Sequence, residues 1–323
     1  MSVSKSRLQE IMEFCLENGE EKTRETFSIS QSTLEKYRRT YKEQISNDID
    51  KKIYLGKIFE RFSESELKAI SEGTRINTST TPFPTPKIDF DGTHIKFGFL
   101  TDTHIGSIFF KPELLESCFK EFKKEGCEFV CHSGDITEGL SKRDGTIYEL
   151  THLGFDKQKS YAVELLSQWD KKMYLIDGNH DRFFLKNANV GAIIGSDIAK
   201  ELPDAEFLGH DEGDILLKDG KVKIKLWHGE DGNSYATSYR VQKIIESFTG
   251  GQKPNLLLCG HTHKQVQLFE RHIHAVSGGS ICLQTSFMRR KRLAAHPGFW
   301  ILDIWVSNTG ISKLQSCWYP FYQ

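Results

Sequence analysis

Five short segments rich in histidine and aspartate recur along this chain in a fixed order, each directly after an apolar run of strand-forming residues. Asp102-Thr103-His104 follows residues 95–100, Gly134-Asp135 follows 129–131, and Gly178-Asn179-His180-Asp181 follows 173–176. His228-Gly229 follows 222–227, and Gly260-His261-Thr262-His263 follows 256–259. Strand ends are where an α/β protein gathers its site chemistry. Each segment supplies carboxylate oxygen, imidazole nitrogen or amide oxygen, the donor types of first-row metals. One such pair means little, but five in order constrain both the fold and the chemistry.

Between and beyond these runs, helices alternate with strands. A helix is expected near 112–124, with Pro112 suited to its first turn, and others near 156–169 and 235–248. Asp219-Gly220 marks a hairpin, and Phe269, Ile273, Ile281 and residues 299–306 read as mainly antiparallel strands. Residues 1–73 read differently, as a small all-α domain. Leu8, Ile11, Met12, Cys15 and Leu16 form a helical stripe, a short helix follows around 21–27, and Ser32 with Glu35 forms a capping box for a third. That third helix carries Lys36, Arg38, Arg39 and Lys42 beside Tyr37 and Tyr41. The layout is that of a helix-turn-helix, whose last element enters the major groove of DNA. A bundle used for packing or dimerisation stays open, because Glu10, Glu13, Glu17, Glu20, Glu21 and Glu25 cancel the bases. Residues 74–92 are a Thr/Pro-rich linker with Pro82, Pro84 and Pro86, and 93–323 form the second domain.

Composition narrows the class. The chain has 323 residues, 38% hydrophobic and 27% charged, as in an ordinary globular protein. A formal net charge of −1 gives no global attraction to nucleic acid, so contacts must be local. No apolar run reaches the ~18 residues of a membrane span, and no signal peptide is expected at the start. Seven cysteines without a CxxC pair fit reduced thiols and a cytoplasmic location.

The order D-x-H, GD, GNH-D, H, GHxH resembles the calcineurin-like metallophosphoesterase superfamily over about residues 95–305. The flanks Thr101–Ser107 and Gly134–Gly139 look most like its nuclease members, SbcD-type repair nucleases and the exonuclease subunit of archaeal D-family DNA polymerase. Protein serine/threonine phosphatases match less well, since Gly139 and Asp181 stand where they carry Arg and Glu. The resemblance implies an α/β fold: a two-sheet sandwich flanked by helices, preceded here by the all-α domain. It also implies two divalent cations bridged by Asp135. Asp102, His104 and His263 would complete the first, and Asn179, His228 and His261 the second. Manganese is favoured, with iron or zinc allowed by the mixed donors. His180 resembles the catalytic histidine, Glu138 the acid that orients it, and Asp181 a shaper of the turn. His94, His132, His152, His210, His272, His274 and His296 lie outside the pattern and read as core or surface residues.

Hydrolysing a phosphate ester at neutral pH needs a hydroxide and neutralised phosphoryl oxygens, which two metals about 3.5–4 Å apart provide. Arg289-Arg290-Lys291-Arg292 either tracks a phosphate backbone or forms a solvated loop or a clamp for acidic side chains. The insertion 140–151 is expected to border the site, with Lys142, Arg143 and Tyr148 as candidate contacts. The expected enzyme is a metal-dependent DNA or RNA nuclease, a bridging hydroxide attacking in line while His180 assists the leaving oxygen. Two alternatives stay open: a phosphodiesterase or phosphatase on nucleotides or other small phosphoesters, and a non-catalytic DNA-binding or assembly protein.

Overall fold

A computed structural model of the chain describes residues 5–41, 67, 83, 85–143, 145–186, 191–230, 234, 236–249 and 252–322. These fall into two compact units, Met1–Glu72 and Gly73–Gln323. In the first, α1 (Lys5–Asn18) buries Leu8, Ile11, Met12 and Cys15 against Leu34, with Phe27, Ile29, Tyr37 and Tyr41 packed around them. α2 (Glu20–Phe27) ends at Ser28 in the left-handed conformation, and α3 occupies described residues 31–41. Its cap is Ser30 rather than Ser32: Ser30 Oγ accepts the Thr33 N–H at 3.2 Å. An N-cap oxygen serves the amide three residues on, and Ser32 is already inside the helix.

The second unit begins with β1 (Lys87–Ile88), β2 (His94–Leu100), α4 (Pro112–Lys124), β3 (Phe129–His132), α5 (Phe155–Leu166) and β4 (Lys172–Asp177). Then come α6 (Phe183–Lys186), α7 (Ile194–Glu201), β5 (Ala205–His210), β6 (Glu212–Leu217), β7 (Val222–Trp227), α8 (Tyr239–Ser247) and β8 (Leu256–Cys259). β9 (Gln265–Glu270), β10 (Ile273–Gly278), α9 (Ser286–Lys291), β11 (Gly298–Ser307) and β12 (Gly310–Pro320) complete it. One sheet has the order β12-β11-β2-β3-β4-β5, the other β1-β6-β7-β8-β10-β9. β2, β3, β4 and β5 are parallel, as are β7, β8 and β10.

Alternation along the strands builds the layers. Ile95, Phe97 and Phe99 of β2, with Phe129, Cys131, Tyr174 and Ile176, face the other sheet and meet Ile215, Leu217, Ile224, Leu226, Leu256 and Leu258. Leu100, Val130, Met173 and Leu175 point the other way, onto α4, α5 and α7. α8 covers the far face of the second sheet with Val241, Ile244 and Ile245. The result is a helix–sheet–sheet–helix sandwich, and strands covered on both faces explain the unbroken apolar runs. Each fully buried Phe contributes roughly 2–3 kcal/mol relative to exposure. Gly98 lets α4 lie close, since a Cβ there would stand 2.7 Å from the Phe122 ring.

Part of the stretch expected to be a linker packs on the second unit. Residues 74–82 and 84 lie outside the described residues, but Phe83 packs edge-on against Phe207 and His210. Lys87 and Ile88 pair with Leu216 and Leu217. The carbonyls of Pro86 and Ile88 accept the N–H groups of Leu216 and Lys218 at 2.9 and 3.0 Å, so Pro86, which has no amide donor of its own, still takes part at the sheet edge. Among the described residues no helix is long and apolar enough to cross a membrane.

Candidate metal centre

Each of the five motifs starts at the C-terminal end of a strand, β2, β3, β4, β7 or β8, and the turns there are tight. Asp102 (φ 52°), His104 (49°), Asp135 (51°), His261 (75°) and His263 (54°) all adopt the left-handed conformation. Such conformations cost of order 1–3 kcal/mol each and persist where surrounding structure over-determines them. The reversal at the GHxH motif is made by the histidines themselves. Gly260 has no positive φ; it is needed because a Cβ would collide with Thr101 and the Ser133 carbonyl.

The structure brings the seven expected ligands together. On one side of Asp135, His263 Nε2 lies 3.2 Å from Asp102 Oδ1 and 3.1 Å from His104 Nε2. On the other, Asn179 Oδ1 lies 3.2 Å from His228 Nε2 and 2.8 Å from His261 Nδ1. Asp135 Oδ2 stands between them, 3.7 Å from His104 Nε2 and 3.1 Å from His228 Nε2. Two donor sets, Asp102–His104–His263 and Asp135–His228–His261, are each compact enough to share an ion, and a third grouping joins His104, Asp135 and His180. Asp102, His104, Asp135, His228 and His263 are buried, whereas Asn179, His180 and His261 are half-buried and form the open side.

Hydrogen positions follow from the partners. His228 Nδ1 lies 2.6 Å from the Ser133 carbonyl, which only accepts, so Nδ1 carries the hydrogen and Nε2 presents its lone pair to Asp135. His104 Nδ1 likewise faces Glu138 Oε2 at 3.0 Å, which turns its Nε2 toward His263. The Nε2 lone pairs of His104 and His228 therefore face carboxylate oxygens, an arrangement that a cation would resolve. This oxygen–nitrogen donor set without thiolate fits divalent metal ions.

Where no metal is present, protons are drawn in. Burial opposes charging His228, but Asp135 and Asp102 outweigh it and raise its pKa to about 9. His104 is raised well above an ordinary imidazole by Glu138, Asp102 and Asp135, again against burial. Asp102, Asp135 and Glu138 are held below the usual carboxylate range, against desolvation, chiefly by His263, His228 and His180 respectively, with His104 beside all three.

Glu138 serves two rings. Its carboxylate holds His104 and lies 3.4 Å from His180 Nδ1, while the Glu138 carbonyl accepts the His180 Nδ1–H at 2.9 Å. The His180 amide donates to Asp135 Oδ1 at 2.8 Å, and its ring stands edge-on to His104. Asp181 is a clamp: Oδ2 accepts Ile136 N–H and Gly178 N–H, and Oδ1 accepts the amide and hydroxyl of Thr137, all at 2.8–3.0 Å. Burial, Asp177 and Asp135 push its pKa up to about 7 against these donors, which favour the anion. Gly178 has no room for a side chain, because a Cβ would strike the Asp135 carboxylate and amide.

Sequence reasoning missed several supports. The Thr101 hydroxyl donates to Asp102 Oδ2 at 2.7 Å. Gln158, fully buried on α5, bonds both the N–H and the carbonyl of Gly139. Arg182 pairs with Asp211 and Glu230 across the turns after β5 and β7. The residue types of Thr101 and Gln158 carry no pattern that could have marked them. The histidines outside the motifs sit apart from the ligand set: His132, whose Nε2 lies 3.0 Å from the Thr103 hydroxyl, is pushed down to about 3 by burial. His94 pairs with Asp303, His152 stacks on Tyr161, His210 pairs with Asp177, and His296 Nδ1 accepts the Gln265 N–H. His272 and His274 pack against Phe269.

The expected nucleic-acid contacts divide. Lys36 and Arg39 are exposed, Arg38 is tied to Glu20, and Lys42 lies outside the described residues. Tyr37 and Tyr41 pack on the N-terminal core. Arg289, Arg290, Lys291 and Arg292 are exposed, and they form not a loop but the end of α9, capped by Thr285 and closed by Arg292 in the left-handed conformation.

Comparison with known proteins fits this geometry. A family model described as calcineurin-like phosphoesterase matches residues 95–265. The chain belongs to that family. The DNA polymerase II small subunit of Methanothermobacter thermautotrophicus is 23% identical to this calcineurin-like phosphoesterase, over 71% of this chain and 55% of its own. The corresponding subunit of Archaeoglobus fulgidus is 23% identical, over 62% of this chain and 49% of its own. The chain thus spans about half the length of these relatives. Among solved structures, a novel archaeal phosphodiesterase is 15% identical with a TM-score of 0.43, covering 70% of this chain and all of its own. A phosphoesterase from E. coli is 17% identical with a TM-score of 0.39, covering 68% of this chain and 98% of its own.

Proposed function

We propose that this calcineurin-like phosphoesterase is a nuclease, hydrolysing phosphodiesters of DNA or RNA with two divalent cations, manganese foremost and iron or zinc as alternatives. The observation that carries the reading is the pair of donor sets on either side of Asp135 Oδ2. Asp102, His104 and His263 would hold one cation and Asn179, His228 and His261 the other, with Asp135 shared. When bound, such a pair supplies a deprotonated water at neutral pH and neutralises the phosphoryl oxygens.

The chain's own groups do the rest. His104 and His228 are kept in the ligating tautomer by Glu138 and the Ser133 carbonyl. His180 stands on the open side with Nδ1–H fixed on the Glu138 carbonyl, which leaves Nε2 as its free nitrogen. Asp135 and Glu138 raise its pKa against burial, which favours the protonated ring that a donor to the departing sugar oxygen needs.

Nucleic acid as substrate is supported by the relatives' names as DNA polymerase subunits and by the cations of α9. The first unit fits a helix-turn-helix that presents Lys36 and Arg39, and seven free cysteines fit a cytoplasmic setting. Because the relatives are subunits of an assembly, a non-catalytic role is the second reading. The deciding experiment is hydrolysis of end-labelled single- and double-stranded DNA and RNA with Mn²⁺, Mg²⁺ or chelator, beside His180→Ala. Metal-dependent cleavage lost in the variant supports the nuclease. Cations bound without any turnover support the assembly role, and turnover of mononucleotide esters alone supports a small-molecule phosphodiesterase.

A further inference from the structure

Three segments leave the candidate centre side by side. They are the loop after His104, the insertion after Glu138, and the stretch from Ile281 into α9. Ile105 bridges to Thr137, the Ile281 N–H donates to the Asp102 carbonyl at 3.2 Å, and the Thr151 N–H to the Gly106 carbonyl at 2.7 Å. Farther out, the Ile108 N–H reaches the Glu149 carbonyl at 2.9 Å and the Leu283 N–H the Phe109 carbonyl at 3.0 Å. They make one continuous wall beside the site.

That wall is apolar and cationic at once. Ile108 (41% exposed), Ile147 (51%), Tyr148 (86%) and Phe287 (39%) lie on it, four of the eight large hydrophobics exposed among the described residues. The Arg143 guanidinium lies over the Phe287 ring at 5.1 Å and that of Arg289 over Phe109 at 5.9 Å, joining insertion, loop and helix. Residues 281–292 carry four cations and no acid. Exposed rings interleaved with cations meet the two needs of an unpaired strand: stacking for base faces and neutralisation for phosphates. A duplex hides its base faces and gives the rings nothing to hold.

We propose that this wall is a binding surface for single-stranded nucleic acid leading to the centre, with Tyr148 and Phe287 stacking on bases and Arg143 and Arg289 to Arg292 facing phosphates. It builds on the nuclease reading for what happens at the centre, but binding is measurable without turnover. The test is fluorescence anisotropy of the full chain with a labelled thymidine 15-mer and a labelled hairpin duplex, in EDTA at fixed salt. Wild type binds the single strand more tightly than the duplex. Tyr148→Ala and Phe287→Ala each weaken it by at least about fivefold, the low end for losing one stacked base. Tyr148→Phe keeps the affinity, and Tyr322→Ala, an exposed ring off the wall, leaves it unchanged. Preference for the duplex, or equal loss in Tyr148→Ala and Tyr148→Phe, overturns the proposal. Wild-type hydrolysis of bis(p-nitrophenyl) phosphate with Mn²⁺ separates the two claims. Single-strand preference without turnover refutes the nuclease and keeps the surface; turnover without that preference does the reverse.

Discussion

Asp181 is the point where a single-atom change tests how the centre is held. Its carboxylate accepts four hydrogen bonds, two at each oxygen, and so ties the chain after Asp135 to the turn that carries Asn179. In Asp181→Asn one end remains an acceptor and the other becomes an NH₂ donor. The cheapest arrangement keeps oxygen toward Ile136 and Gly178 and lets the Thr137 hydroxyl rotate to accept from the new amide. One buried donor, the Thr137 N–H, is then left without a partner, at about 1–3 kcal/mol. Removing a buried charge offsets part of this, so the expected loss sits toward the lower end. Asp181→Ala strands three N–H groups and is expected to cost at least about 3 kcal/mol. Thermal melting reads both, at roughly 2–4 °C for each kcal/mol in a domain of this size. Manganese titration reads the second consequence, weaker binding as Asp135 and Asn179 lose their register. An Asp181→Asn protein with wild-type melting temperature and wild-type manganese affinity would refute the clamp.

Other predictions follow from the same geometry. Glu138→Ala frees the His104 ring and is expected to weaken metal binding about 10–100-fold, measured by calorimetric titration, with the melting temperature showing the fold intact. Gly178→Ala drives a methyl into the Asp135 carboxylate and amide; loss of manganese binding on equilibrium dialysis is expected, and retained stoichiometry would contradict it. The metal-free protein holds a proton on His228 more tightly folded (pKa about 9) than unfolded (6.5). Its contribution to stability is therefore complete below pH 6.5 and lost as pH rises through about 9. Cation binding at pH 7 must displace that proton, so calorimetry in buffers of different ionisation enthalpy should show proton release at pH 7 that fades above pH 9.

Much of the second unit could be read in advance because its strands are covered on both faces, which writes them as unbroken apolar runs ending in polar motifs. Residues 95–100 and 256–259 are cases where the residue types leave little choice. The motif order carried the candidate ligands, since each motif follows a strand, β2, β3, β4, β7 or β8. What escaped depends on backbone geometry and non-local pairing. Nothing in the letters of His261 and His263 announces that both adopt positive φ. β1 is two residues long and exists only because β6 lies beside it. α9 is too short for periodicity to show, although Thr285 three residues before Met288 is a cap in hindsight. Gln158 acts through bonds to backbone and Thr101 through one to its neighbour's carboxylate, which no residue pattern encodes.

The central claim is that Asp135 lies between two cations. Anomalous diffraction from crystals of the manganese-loaded chain tests it directly. The account predicts two peaks about 3.5–4 Å apart, one bounded by Asp102, His104 and His263, the other by Asn179, His228 and His261, with Asp135 touching both. A single peak, or manganese held by His180 in place of these residues, would contradict it.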